Sequence, residues 1–193
     1  MFVKKFRSYN TSRYKEKDSM LLRCFHQSDF DRNWSNHLSR SPRSRAEFDA
    51  ATQFILGHFT TSTFLSGILR NGLMPDERKE RAVDDNVPSD STSVYLATTY
   101  DRFYMSRATR HHGGEPISIE VHVEKTALLA DEGQLSSHDL AILDPEGALY
   151  VSMCGGACKH PGTVQLKNIL SICDAYGSTI YVAEPSGSVN RQG

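Results

Sequence analysis

No apolar run in this chain approaches the roughly 18 residues that a membrane-spanning helix needs, so such a helix is excluded. The N-terminal stretch carries basic residues with no apolar segment behind them, and a cleaved secretory signal is therefore not expected. Cysteine is scarce: Cys24, Cys154, Cys158 and Cys173 are too few and too unevenly spaced for a disulfide framework. A reducing compartment is the default. No internal repeat is evident, and 193 residues give room for one sizeable core.

Net charge is also small, at −1, but the value hides an asymmetry. Up to Arg45 there are eleven Lys and Arg against four Asp and Glu, and beyond it eleven against nineteen. A basic arm is joined to an acidic body. Residues 1–44 are expected to be partly disordered or docked on the body, and such an arm suits an anionic partner: nucleic acid, an acidic protein or a membrane surface. Tyr9, Tyr14, Phe25 and Trp34 interleave with the basic residues, a pattern that serves base stacking or docking equally. Ser41 to Ser44, with Pro42 inside, reads as a linker. Ser44 and Glu47 have capping-box spacing before a short helix to about Gln53. The folded domain is placed at 45–186 and a loose tail at 187–193.

Two segments carry most of the information. In the first, Phe54-Ile55-Leu56 is a short apolar run ending at His58, Thr60 to Thr63 offer capping hydroxyls, and Phe64, Leu65, Ile68 and Leu69 fall at helical spacing before Gly72. This predicts strand, turn, helix and glycine stop. In the second, Val94-Tyr95-Leu96 is strand-like, Thr98 and Thr99 offer a cap, and Asp101 to Arg110 read as a helix containing Tyr104. Residues 74–92 between them are polar and read as an exposed loop. After His111-His112-Gly113-Gly114, Pro116 to Glu124 alternate strictly, as a half-buried antiparallel strand does. Strands are also expected at Ala148 to Met153, near Ile169 to Cys173, and over Ser178 to Ala183, with a polar loop running to Asp144. The predicted class is α+β.

The order of His58-Phe59-Thr60, Asn71-Gly72-Leu73, Tyr95-Leu96-Ala97 and Tyr104 resembles the ADP-ribosyltransferase superfamily. The likeness is to the His-Tyr-Glu branch, which includes diphtheria toxin and the poly-ADP-ribose polymerases. It implies a split antiparallel β-sheet core with flanking helices and NAD as substrate. By that resemblance His58 hydrogen-bonds a ribose hydroxyl, Thr60 contacts the carboxamide, and Tyr95 and Tyr104 stack on the nicotinamide ring. Phe59 stands where most members have glycine, and a backbone contact there requires its side chain to point away.

The family's third site residue is a glutamate at the start of a late strand. Glu146, in Asp144-Pro145-Glu146, is the candidate, with Glu132 an alternative; aligning the strand by Tyr150-Val151 instead puts Leu149 there and leaves no carboxylate. Such a carboxylate stabilises the positive charge that develops on ribose as nicotinamide departs. The expected activity is mono-ADP-ribosyl transfer to a macromolecular acceptor, of effector or toxin type, in the cytoplasm or in a host cell reached without a cleaved signal. Alternatives are an RNA 2'-phosphotransferase, an NAD glycohydrolase, or an inactive NAD- or ADP-ribose-binding module. Cys154, Cys158, His160 and Cys173 together could ligate zinc, although their spacing fits no specific module and no metal is assigned.

Overall fold

A computed structural model describes residues 41–75, 90–99, 108–174 and 177–183; most of the basic arm, Tyr104 and the tail lie outside these. Helix α1 (Arg45–Ala50) begins where the extended backbone of Ser44 lets its hydroxyl accept the Glu47 amide at 3.1 Å. Glu47 reaches past that cap to accept the Arg43 amide at 2.9 Å. Pro42 is buried, and Ser41 Oγ lies 2.9 Å from Thr98 Oγ1, so the stretch read as a linker packs against the body.

Strand β1 (Gln53–Thr61) is longer than its apolar run, and His58, Phe59 and Thr60 lie within it rather than after it. The cap falls one residue later than Thr60. Thr61 Oγ1 accepts the Thr63 amide at 3.4 Å and starts a 3-10 turn (Ser62–Phe64) that leads into α2 (Leu65–Asn71). Gly72 then stops the helix at positive φ, 79°, but with ψ −167° its backbone is extended and not the left-handed helical cap expected there. A Cβ there would sit 2.2 Å from the Val164 carbonyl oxygen, because Leu73 and Val164 pair through two backbone hydrogen bonds of 2.9 Å. Gly72→Ala is therefore expected to cost about 2–4 kcal/mol, from strained φ and overpacking together, read as a shifted urea midpoint. An unchanged midpoint would contradict that packing.

Six further strands follow among the described residues: β2 (Ser93–Ala97), β3 (Pro116–Glu124), β4 (Leu129–Ala130), β5 (Ala157–Pro161), β6 (Ile169–Asp174) and the edge strand β7 (Thr179–Val182). They form one antiparallel sheet in the order β4-β5-β2-β1-β3-β6-β7. The fold is α+β, and the sheet is split. β1 pairs with β3 along its whole length, from Gln53↔Glu124 to Thr61↔Pro116, whereas β1 meets β2 only at Gly57↔Ala97. The alternation in β3 is realised: Ile117, Ile119, Val121 and Val123 are buried and share a face with their partners Thr60, His58, Leu56 and Phe54.

Two expectations are corrected. The stretch expected as a strand at Ala148 to Met153 is helix α4 (Pro145–Gly155). Asp144 caps it by accepting the Gly147 amide at 2.6 Å, Pro145 supplies the preset φ of a first turn, and Gly156 closes it at φ 112°. Leu149 and Met153, four residues apart, then face the core together. The polar loop before it contains a second helix, α3 (Ser137–Ile142), held by a capping box between Ser136 and Asp139.

Candidate functional site

The site assembles where the sheet opens. Past Gly57↔Ala97, β1 and β2 share no further register pair, and the Tyr95 carbonyl takes its hydrogen bond from the His58 ring instead, at 3.0 Å from Nδ1. A carbonyl only accepts, so Nδ1 carries the hydrogen, and the neutral ring then presents Nε2 as an acceptor. Thr60, two residues on, shares the face of His58; Phe59 is buried on the opposite face, with its register partner Ser118. By the same alternation Phe59 shares the face of Gly57 and Tyr95.

His58 therefore meets the backbone of Tyr95 and not its phenol. Tyr95 is two residues from Ala97 and shares its face, whereas His58 is one residue from Gly57 and faces the other way. The Tyr95 hydroxyl accepts the Asp90 amide at 2.6 Å. On β5 the register partner of Tyr95 is Lys159, a buried lysine whose Nζ lies 2.7 and 2.8 Å from the two Glu132 oxygens and 3.5 Å from Asp90 Oδ2. Burial pushes the Lys159 ammonium down, but the Glu132 hydrogen bond and the charges of Glu132 and Asp90 outweigh it, so its pKa stands above the ordinary value. This lysine is a cation, not a nucleophile. Hydrogen bonds from Thr92 and Ser93, with Lys159 adding, hold the Asp90 carboxyl well below the usual carboxylate range. Because that pKa is depressed, its stabilising contribution is complete at neutral pH and fades only as pH falls below the unfolded value near 3.9.

Glu146 is not brought to this place. It stands in the first turn of α4, half exposed, with Oε1 2.5 Å from Lys125 Nζ. Lys125 in turn donates its backbone amide to the Thr52 carbonyl, just before β1 begins, which ties Glu146 to the start of that strand, while His58 lies near its other end. The cause is the change of α4 from strand to helix. The carboxylate beside Tyr95's partner is Glu132, at the start of a 3-10 turn (Glu132–Gln134) after β4. Sequence reasoning missed β5, which holds Lys159, and Asp90, which sits at the end of a loop with no pattern of its own. A lysine between Cys158 and His160 in a five-residue strand gives no distinctive signal. Tyr104 lies outside the described residues.

The cysteine and histidine positions do not gather. Cys158 is buried on β5 and Cys173 lies on β6, four strand spacings or roughly 19 Å away, while Cys154 is exposed on α4. Among the described residues no group of three or more His, Cys, Asp or Glu side chains converges on a metal position. Burial pushes the Cys158 thiol well above its usual range, which makes it a packing residue. Among the described residues, no helix is long and apolar enough to cross a membrane.

Fold and site thus define an α+β domain whose split antiparallel sheet holds an imidazole at the split and a carboxylate–lysine cluster beside it. Compared with known proteins, the sequence matches no protein-family model and no curated protein.

Proposed function

We propose that this chain is an NAD-dependent mono-ADP-ribosyltransferase that breaks the bond between nicotinamide and ribose and moves ADP-ribose to a macromolecular acceptor. One observation carries the reading: the His58 ring bonds the Tyr95 carbonyl at the opening of the sheet, joining the two segments on which the resemblance rests. In this reading Nε2 of His58 accepts from a ribose hydroxyl at the opening. The ligand then spans the opening of the sheet: the ribose hydroxyl meets His58 on one face and the nicotinamide ring lies against Tyr95 on the other, so Thr60, on the face of His58, is not the carboxamide contact. Cleavage transfers the glycosidic electron pair to nicotinamide and leaves an oxocarbenium-like ribose, which a carboxylate stabilises before the acceptor attacks. Glu132 is the better placed carboxylate, since Lys159 draws it to the face of Tyr95 while Glu146 is engaged by Lys125. The basic residues up to Arg45 suit an acidic or nucleic-acid acceptor.

A second reading is a pocket that binds NAD or ADP-ribose without turnover. It is favoured by the composition of β5, which lies next to β2 and contains no carboxylate. Labelled NAD with candidate acceptors, and nicotinamide release without them, separates the two. Glu132→Gln is expected to lower turnover about 100-fold, and Glu146→Gln less than about twofold. Binding of NAD with no nicotinamide release supports the inactive pocket. Absence of both binding and release overturns the proposal.

A further inference from the structure

The phenol of Tyr95 is held by a backbone donor, and that donor is set by an unusually well-ligated carboxylate. Asp90 donates its own amide to the Tyr95 hydroxyl at 2.6 Å. Its side chain closes the turn into β2: Oδ1 accepts from the Thr92 amide at 2.8 Å and the Thr92 hydroxyl at 2.6 Å, while Oδ2 accepts from Ser93 Oγ at 2.7 Å. Lys159 Nζ stands 3.5 Å from the same Oδ2. Closing the turn needs only one of these donors. The remaining contacts tie the turn to Ser93, at the start of β2, and to Lys159, opposite Tyr95 on β5.

A backbone N–H cannot swing away as a side-chain donor can; its direction follows the local φ and ψ. Here those angles belong to a turn fixed through the Asp90 carboxylate, and the far end of the phenol follows the turn. Lys159 extends the hold across the sheet, since its Nζ also grips both oxygens of Glu132. Strand β2, strand β5 and the turn after β4 are thereby linked around one aromatic ring.

We infer that Asp90 is a positioning residue which, together with Lys159, fixes the direction of the Tyr95 side chain and so where its ring stands for a flat heteroaromatic ligand. The ligand class, nicotinamide as part of NAD, rests on the proposed function; the positioning itself does not. Because Asp90 acts through Tyr95, its removal weakens the binding of the ring and leaves the bond-breaking step nearly untouched.

The test uses the full chain and two readouts. Without ligand, ring carbon shifts of ¹³C-labelled tyrosine assigned to Tyr95 report its environment, and Asp90→Ala is expected to move and broaden them, with Asp90→Asn intermediate. With NAD, Asp90→Ala is expected to raise Kd and KM about fivefold to tenfold while kcat changes less than about twofold. In a Tyr95→Phe background, which removes the hydroxyl, the same substitution should change Kd less than about twofold. Ser93→Ala, which removes one donor to Asp90, provides a milder form of the same series should Asp90→Ala fold poorly. Unmoved Tyr95 resonances, or effects that add fully to those of Tyr95→Phe, overturn the positioning role. If the resonances move but the unmodified chain binds no NAD, the positioning stands and the proposed function fails.

Discussion

Replacing Phe48 by alanine is expected to lower the unfolding free energy by about 3–5 kcal/mol, the range for truncating a buried aromatic. The Phe48 ring is 0 % exposed and is shared by three parts of the fold. It stacks on Phe54 of β1 with centroids 5.9 Å apart and tilts against Tyr150 of α4 at 5.4 Å. Lys125, after β3, places its Nζ 4.1 Å above the ring and also donates to the Phe48 carbonyl at 3.1 Å. Truncation therefore leaves a cavity and strips a face from a half-buried ammonium. Urea unfolding followed by far-ultraviolet circular dichroism measures the loss. A change under 1 kcal/mol would mean that α1 is not part of the folded core and that the domain begins at β1.

His58 carries the largest expected effect on activity. His58→Ala is expected to lower kcat/KM for NAD by at least about 100-fold, because it removes the proposed ribose acceptor and also takes from the Tyr95 carbonyl its 3.0 Å donor. Two amide substitutions divide these contributions. Asparagine places an N–H near the position of Nδ1 and keeps the bond to Tyr95, whereas glutamine places its amide near Nε2 and loses that bond. His58→Asn should retain near-native stability with activity as low as that of His58→Ala, and His58→Gln should be less stable with partial activity. If His58→Ala keeps activity within about threefold, the ring only closes a gap in the ladder and the proposed mechanism is wrong.

Much of the architecture was legible because its signals are local. The alternation of Pro116 to Glu124 identified β3 with the bounds it has in the fold, and Gly72 after a helical spacing marked a stop that needs positive φ. Helix α4 was misread because Ala148 to Met153 is apolar enough to suit a strand; the decisive signals were the flanks, Asp144-Pro145 at one end and Gly156 at the other. Such flanks act by satisfying the unpaired amides and carbonyls of a helix, so they outweigh a short apolar run.

The site was legible in part for a related reason. His58, Thr60 and Tyr95 could be picked out because they lie in segments with strong patterns of their own. Asp90, Glu132 and Lys159 could not, because what relates them is strand order: β5 lies beside β2 although 59 residues lie between Ala97 and Ala157. By itself the sequence determined the α+β class, most strand positions, the asymmetry of charge and the neighbourhood of His58 and Tyr95. Only the tertiary structure decided that His58 bonds the Tyr95 backbone, that the phenol turns to Asp90, and that Lys159 brings Glu132 rather than Glu146 to its side. Hydrogen bonding and alternation act between neighbours along the chain, whereas the meeting of a carboxylate, an ammonium and a phenol depends on which strands lie side by side, and no local pattern encodes that.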